Sequence, residues 1–143
     1  MQPYGPLWHP RLIGPAATLL VAAFITDLIY WRTLLFQWNN FSVWLIVAGL
    51  VLAALSGLAL LLDVLLRRIG RLAWWRFAGF TVSALLSLLN AFVHSRDAYT
   101  AVVPEGIVLS GIVTVLLLAL GWHGWSLRAI AAANAAVAGG ISR

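Results

Sequence analysis

Four stretches of nearly uninterrupted apolar residues divide the chain, at about 12–31, 42–66, 74–94 and 107–125. Each reaches the ~20 residues that an α-helix needs to cross ~30 Å of hydrocarbon. The connections between them, RTLLFQWNNF, RRIGRLA and SRDAYTAVVPEG, are short enough to force neighbouring spans antiparallel. The pattern therefore predicts an all-α integral membrane fold, a four-transmembrane-helix up-down bundle over residues 1–128, followed by a small-residue-rich tail over 129–143. Pro10 and Pro15 are expected at the start of the first span, where a missing backbone donor costs little, and Pro104 with Gly106 marks the loop before the fourth.

Composition agrees with this solvent. Of 143 residues, 63% are hydrophobic and 9% charged, against roughly 25% charged in soluble domains. The net charge of +5 comes from nine basic residues, all Arg. Their placement at span ends reports topology rather than nucleic-acid binding. Arg11, Arg67, Arg68, Arg71, Arg76 and Arg128 fall on one side, with Arg143 on the tail, and Arg32 and Arg96 on the other. The positive-inside rule puts the first group in the cytoplasm, with both termini, in a bacterial inner membrane. Trp8, Trp74, Trp75, Trp122 and Trp125 near one boundary, and Trp31, Trp38 and Trp44 near the other, form two aromatic belts that support the same map. The N-terminus MQPYGPLWHPR does not resemble a signal peptide, so the first span is expected to remain in the protein. There is no Cys, which excludes disulfides and thiolate-held metals and clusters.

Polar residues inside the apolar runs are the candidates for chemistry. Asp27 lies about five positions past the centre of the first span, roughly 7 Å from the midplane at 1.5 Å per residue. A central Asp costs about 2.5 to 3.5 kcal/mol on insertion scales, so it must face the bundle and be neutralised or paired. Ser83, Ser87, Asn90 and His94 make a stripe at helical spacing on the third span. Because the first and third spans run parallel, Asp27 and Asn90 come to similar depth in the periplasmic half, with His94 nearer the surface beside Arg96 and Asp97 and Ser87 in the same stripe. Asp27, Asn90 and His94 form the first candidate constellation. This cluster is either interhelical hydrogen-bonding or a functional site.

A second cluster, Asp63 with Arg67 and Arg76, sits at the cytoplasmic boundary. Asp63, four residues before Arg67 on one helix, pairs with it most simply. His9 opens the first span and His123 closes the fourth, so antiparallel packing can level two imidazoles for haem b ligation, with His94 a further candidate ligand. Gly49, Ala53 and Gly57 on the second span, and Gly106, Ser110 and Thr114 on the fourth, form small-residue stripes expected to mark close helix packing. No hydrolase, zinc-protease, P-loop or dinucleotide motif occurs, so catalytic activity of its own is not expected, and no metal site is indicated.

From about Tyr4 to Trp125 the sequence resembles a family of small bacterial membrane proteins catalogued as domain of unknown function 2231. The resemblance rests on His9-Pro10 before the first span, Asp27 within it, Gly57 and Asp63 in the second, Asn90 in the third and Gly121-Trp122 closing the fourth. The family often has His near the start of the third span, where this chain has Arg76. It often ends GWLGGELVY, where this chain reads GWHGWSLRA. Some relatives are joined to Rieske or cytochrome-like domains, so the resemblance implies a respiratory or redox setting. The expectation is an accessory or anchoring subunit that borders a haem or quinone pocket and associates with other membrane subunits or with itself. A small transporter or proton-coupled permease using Asp27 is the alternative, and a purely structural or assembly protein is a third.

Overall fold

A computed structural model describes residues 9–66, 74–96 and 102–122, apart from the side chains of His9, Pro10, Trp74 and Trp122. Among these described residues it contains four helices, α1 His9–Thr33, α2 Phe36–Leu65, α3 Trp74–His94 and α4 Glu105–Trp122. The first three are long and apolar enough to cross a membrane, and α4 is a shorter apolar helix. At 18 residues, α4 is about 27 Å long at 1.5 Å per residue.

The helices form a four-membered ring in chain order. α1 packs on α2 and α4, and α3 packs on α4 and α2, with the α1–α2 contact the most extensive. Ala17 and Leu20 of α1 meet Val113 and Leu117 of α4 in the apolar centre, flanked by Val21, Phe80 and Leu86. The outward faces carry Trp44, Val51, Leu58, Leu85, Phe92 and Val115. In a bilayer those side chains stay in an apolar medium, so their exposure costs little.

The first turn differs from the sequence expectation. A ten-residue connection was expected from Arg32 to Phe41, yet only Leu34 and Leu35 separate α1 from α2. Leu34 adopts a left-handed conformation with φ 54°, and its N–H donates to the Tyr30 carbonyl at 2.7 Å. That residue ends α1 as a C-terminal cap, a position usually given to Gly or Asn. The chain therefore reverses within two residues and α2 begins at Phe36, six residues before the expected start. Pro15 lies inside α1 rather than at its start, so the Arg11 carbonyl loses the helical bond that residue 15 would supply.

Gly49 and Gly57 share one stripe of α2 but differ in use. A Cβ on Gly49 would sit 2.8 Å from Leu20 Cδ2 and 3.3 Å from the Ala16 carbonyl oxygen, so α1 and α2 touch there. A Cβ on Gly57 would meet nothing within 4 Å. Close packing was expected at both; at Gly57 the helices diverge around a cavity of about 110 Å³, walled by residues such as Ala16, Ala53, Ser56, Phe80 and Ser83.

Candidate functional site: a carboxylate shared by four helices

Asp27 is fully buried and sits six residues before the end of α1. Each of the other three helices sends it one side chain. From α2, the Ser42 hydroxyl donates to Oδ1 at 2.5 Å. From α3, His94 Nε2 lies 3.0 Å from the same oxygen. From α4, the Ser110 hydroxyl donates to Oδ2 at 2.7 Å. Ser42, His94 and Ser110 are all buried.

The arrangement also fixes helix direction. Asp27 and His94 lie late in α1 and α3, whereas Ser42 and Ser110 lie early in α2 and α4. They can meet only if successive helices alternate in direction, so the bundle is up-down.

Hydrogen-bond inventory determines the protons. His94 Nδ1 lies 3.0 Å from the backbone carbonyl oxygen of Asn90, which only accepts, so Nδ1 carries hydrogen. The Nε2 to Oδ1 contact then needs one proton to be favourable. It resides on Nε2, giving imidazolium and carboxylate, or on Oδ1, giving imidazole and carboxylic acid. In both forms the pair is neutral overall and holds one proton between its two members. Both serine hydroxyls have a second acceptor: Ser42 lies 3.3 Å from the Ala23 carbonyl and Ser110 2.9 Å from that of Gly106.

Around the hub, Tyr30 is buried one turn further along α1. Arg96, just past the end of α3, and Glu105, the first residue of α4, form an exposed ion pair at 2.8 Å. On the opposite side, Asn90 Oδ1 and Thr114 Oγ1 are buried without a hydrogen-bond partner, as is Asn39 Oδ1.

Of the expected constellation, Asp27 and His94 are in direct contact, and Asn90 takes part through its backbone. Ser87 is buried but does not reach Asp27, because its hydroxyl donates at 2.8 Å to the Ser83 carbonyl on its own helix. Both ring nitrogens of His94 are engaged within the protein, so as placed it offers neither to a haem iron. The His9 side chain and the whole of His123 lie outside the described residues, as does Arg67, the expected partner of Asp63. Asp63 and Arg76 are both buried, and each has an interaction of its own. Among the described residues no group of three or more His, Cys, Asp or Glu side chains is placed to hold a metal.

Sequence reasoning missed Ser42 and Ser110. In the sequence Ser42 reads only as the start of a span, and Ser110 only as a small packing residue. No sequence signal marks either one, because with the second span expected to begin at Ser42 the depth of that residue is set only once α2 is seen to start at Phe36.

A family model described as predicted membrane protein, DUF2231, matches residues 5–138. No curated protein and no solved structure matches the chain. The chain belongs to this family of predicted membrane proteins.

Proposed function

We propose that this protein is a non-catalytic accessory or anchoring subunit of a bacterial inner-membrane assembly, its four helices clamped by the Asp27 hub. The observation that carries this reading is the convergence of one buried polar side chain from every helix on a single carboxylate. Such an arrangement fixes one bundle geometry, because sliding any helix by a residue leaves a buried donor or acceptor unmatched. The broad apolar outer faces leave lipid, or the apolar faces of partner subunits, as the medium around a rigid bundle.

The Arg-rich end lies in the cytoplasm in this reading, and the hub lies near the periplasmic surface. A respiratory partner is the version suggested by the domains to which relatives are joined. The test is native electrophoresis after mild solubilisation at natural expression level. The chain is expected to migrate in a complex larger than its own detergent micelle, and Asp27→Ala is expected to release it. Migration of the unaltered chain alone would overturn the reading. Reduced and oxidised spectra of the purified complex test the redox version through a Soret band or copurified quinone.

A further inference from the structure

The buried polar residues are not scattered through the bundle. They follow its axis from one end to the other. Depth along each helix, counted from its hub residue at about 1.5 Å per residue, places Asn90 and Thr114 about 6 Å below the hub and Ser87 about 10 Å. On the same scale Ser83 lies at about 17 Å, Ser56 at about 21 Å, Arg76 at about 27 Å and Asp63 at about 32 Å. Asn39 lies about 5 Å above the hub, toward the surface. All of these residues are buried, so they face the interior rather than lipid. The file is about 36 Å long at that rise, and the hydrocarbon it has to cross is ~30 Å thick.

We infer that this file is a transmembrane proton path, with the Asp27–His94 pair as its proton-holding station and Asp63 with Arg76 at its far mouth. Three features support this beyond the alignment. The Asn39, Asn90 and Thr114 oxygens beside the hub are buried and unpartnered, and a water placed against them would gain acceptors that the fold leaves unused. Successive members of the file are spaced by no more than about 6 Å in depth along the axis, so no long apolar gap in depth interrupts it. Between Ser83 and the Arg76 end, the cavity of about 110 Å³ is well above the ~10–15 Å³ that a single water needs.

The cavity is also where the file is thinnest. Ser56, Thr81 and Ser83 line it among Leu60, Phe77 and Phe80. The Thr81 and Ser83 hydroxyls donate to carbonyls of their own helix, Phe77 and Gly79, leaving lone pairs as acceptors. A mostly apolar constriction wets only intermittently and so limits the rate.

The transfer balances without any electron carrier. A hydronium entering past Asn39 gives its proton to Asp27, and the proton held between Oδ1 and Nε2 passes to water on the Asn90 side. The pair returns to its one-proton state, and one proton leaves at the Asp63 end. Among the described residues, the charged and titratable side chains around the station are Asp27 and Tyr30 on α1, His94 on α3, Arg96 just past α3 and Glu105 at the start of α4; α2 presents hydroxyls and an amide there.

The experiment is proton influx into proteoliposomes under a valinomycin-imposed potassium potential, read by a luminal pH dye. The full chain is expected to acidify the lumen at least tenfold faster than protein-free liposomes. Asp27→Asn replaces the proton-accepting carboxylate by an amide that keeps one donor and one acceptor. Gly57→Leu fills the cavity from a position where an added side chain meets open space, so it leaves the hub intact. Both are expected to fall to the protein-free rate with unchanged helical circular dichroism. A wild-type rate equal to that of empty liposomes, or a folded Gly57→Leu protein conducting like wild type, would overturn the path. Native-gel mobility is not read here, so this inference and the anchoring role fail separately.

Discussion

Replacing Asp27 and His94 by Ala, singly and together, separates a charged clamp from ordinary interhelical hydrogen bonding. In Asp27→Ala the two hydroxyls fall back on the Ala23 and Gly106 carbonyls. His94 then keeps its Nδ1 bond to Asn90 and leaves Nε2 buried without a partner. That orphan costs about 1 to 3 kcal/mol, with a small cavity term in addition. His94→Ala leaves a fully buried carboxyl that has lost its proton-sharing partner, and breaking a buried pair in this way costs about 3 to 5 kcal/mol. The double variant removes both members, so its loss should be close to that of His94→Ala alone. The resulting coupling energy is about 2 kcal/mol, within the range for residues in direct contact. Interhelical hydrogen bonds in membranes average ~0.6 kcal/mol, so the two descriptions differ threefold. Reversible SDS unfolding in mixed micelles, followed by Trp fluorescence, measures all four corners. A coupling at or below ~0.6 kcal/mol would refute the charged-clamp description.

Other consequences are smaller but separable. Gly49→Leu should force α1 from α2 and, in the same unfolding assay, destabilise by more than about 3 kcal/mol through overpacking, while Gly57→Leu stays within about 1 kcal/mol of wild type or above it. At Leu34, with φ 54°, Gly should be tolerated, whereas β-branched Val should cost about 1 kcal/mol more than Gly. Because the protein has no Cys, a single Leu35→Cys reports topology: a membrane-impermeant maleimide should label it from the periplasmic side of intact cells.

What the sequence revealed follows from what lipid penalises. A carboxylate in an apolar run is costly, so Asp27 is conspicuous, and the parallel relation of spans one and three brings it into one constellation with Asn90 and His94. That His94, placed nearer the surface by residue count, is the one whose side chain reaches Asp27 follows only from the packed helices. Serine is cheap in a membrane helix, where it can bond back to its own backbone, as Ser83 and Ser87 do. Nothing in the sequence distinguishes those two from Ser42 and Ser110, which bond across helices. The difference is one of phase and depth, which only the packed bundle fixes. Leu34 was illegible for a related reason: a left-handed cap carries a sequence signal only when it is Gly or Asn, and here it is neither. Gly49 and Gly57 share a stripe yet serve opposite ends, since helix divergence, rather than residue type, decides whether a glycine admits a neighbour or leaves a space.

The central claim is that Asp27 and His94 hold one proton between them, with the His94 tautomer set by the Asn90 carbonyl. Solid-state nitrogen NMR on ring-labelled histidine in lipid bilayers tests it directly, with His94→Gln assigning the resonance among the three histidines. The account predicts that Nδ1 of His94 is protonated and hydrogen-bonded, and that the Nε2 resonance moves when Asp27 is replaced by Asn. A bare Nδ1, or an Nε2 resonance indifferent to Asp27, would contradict it.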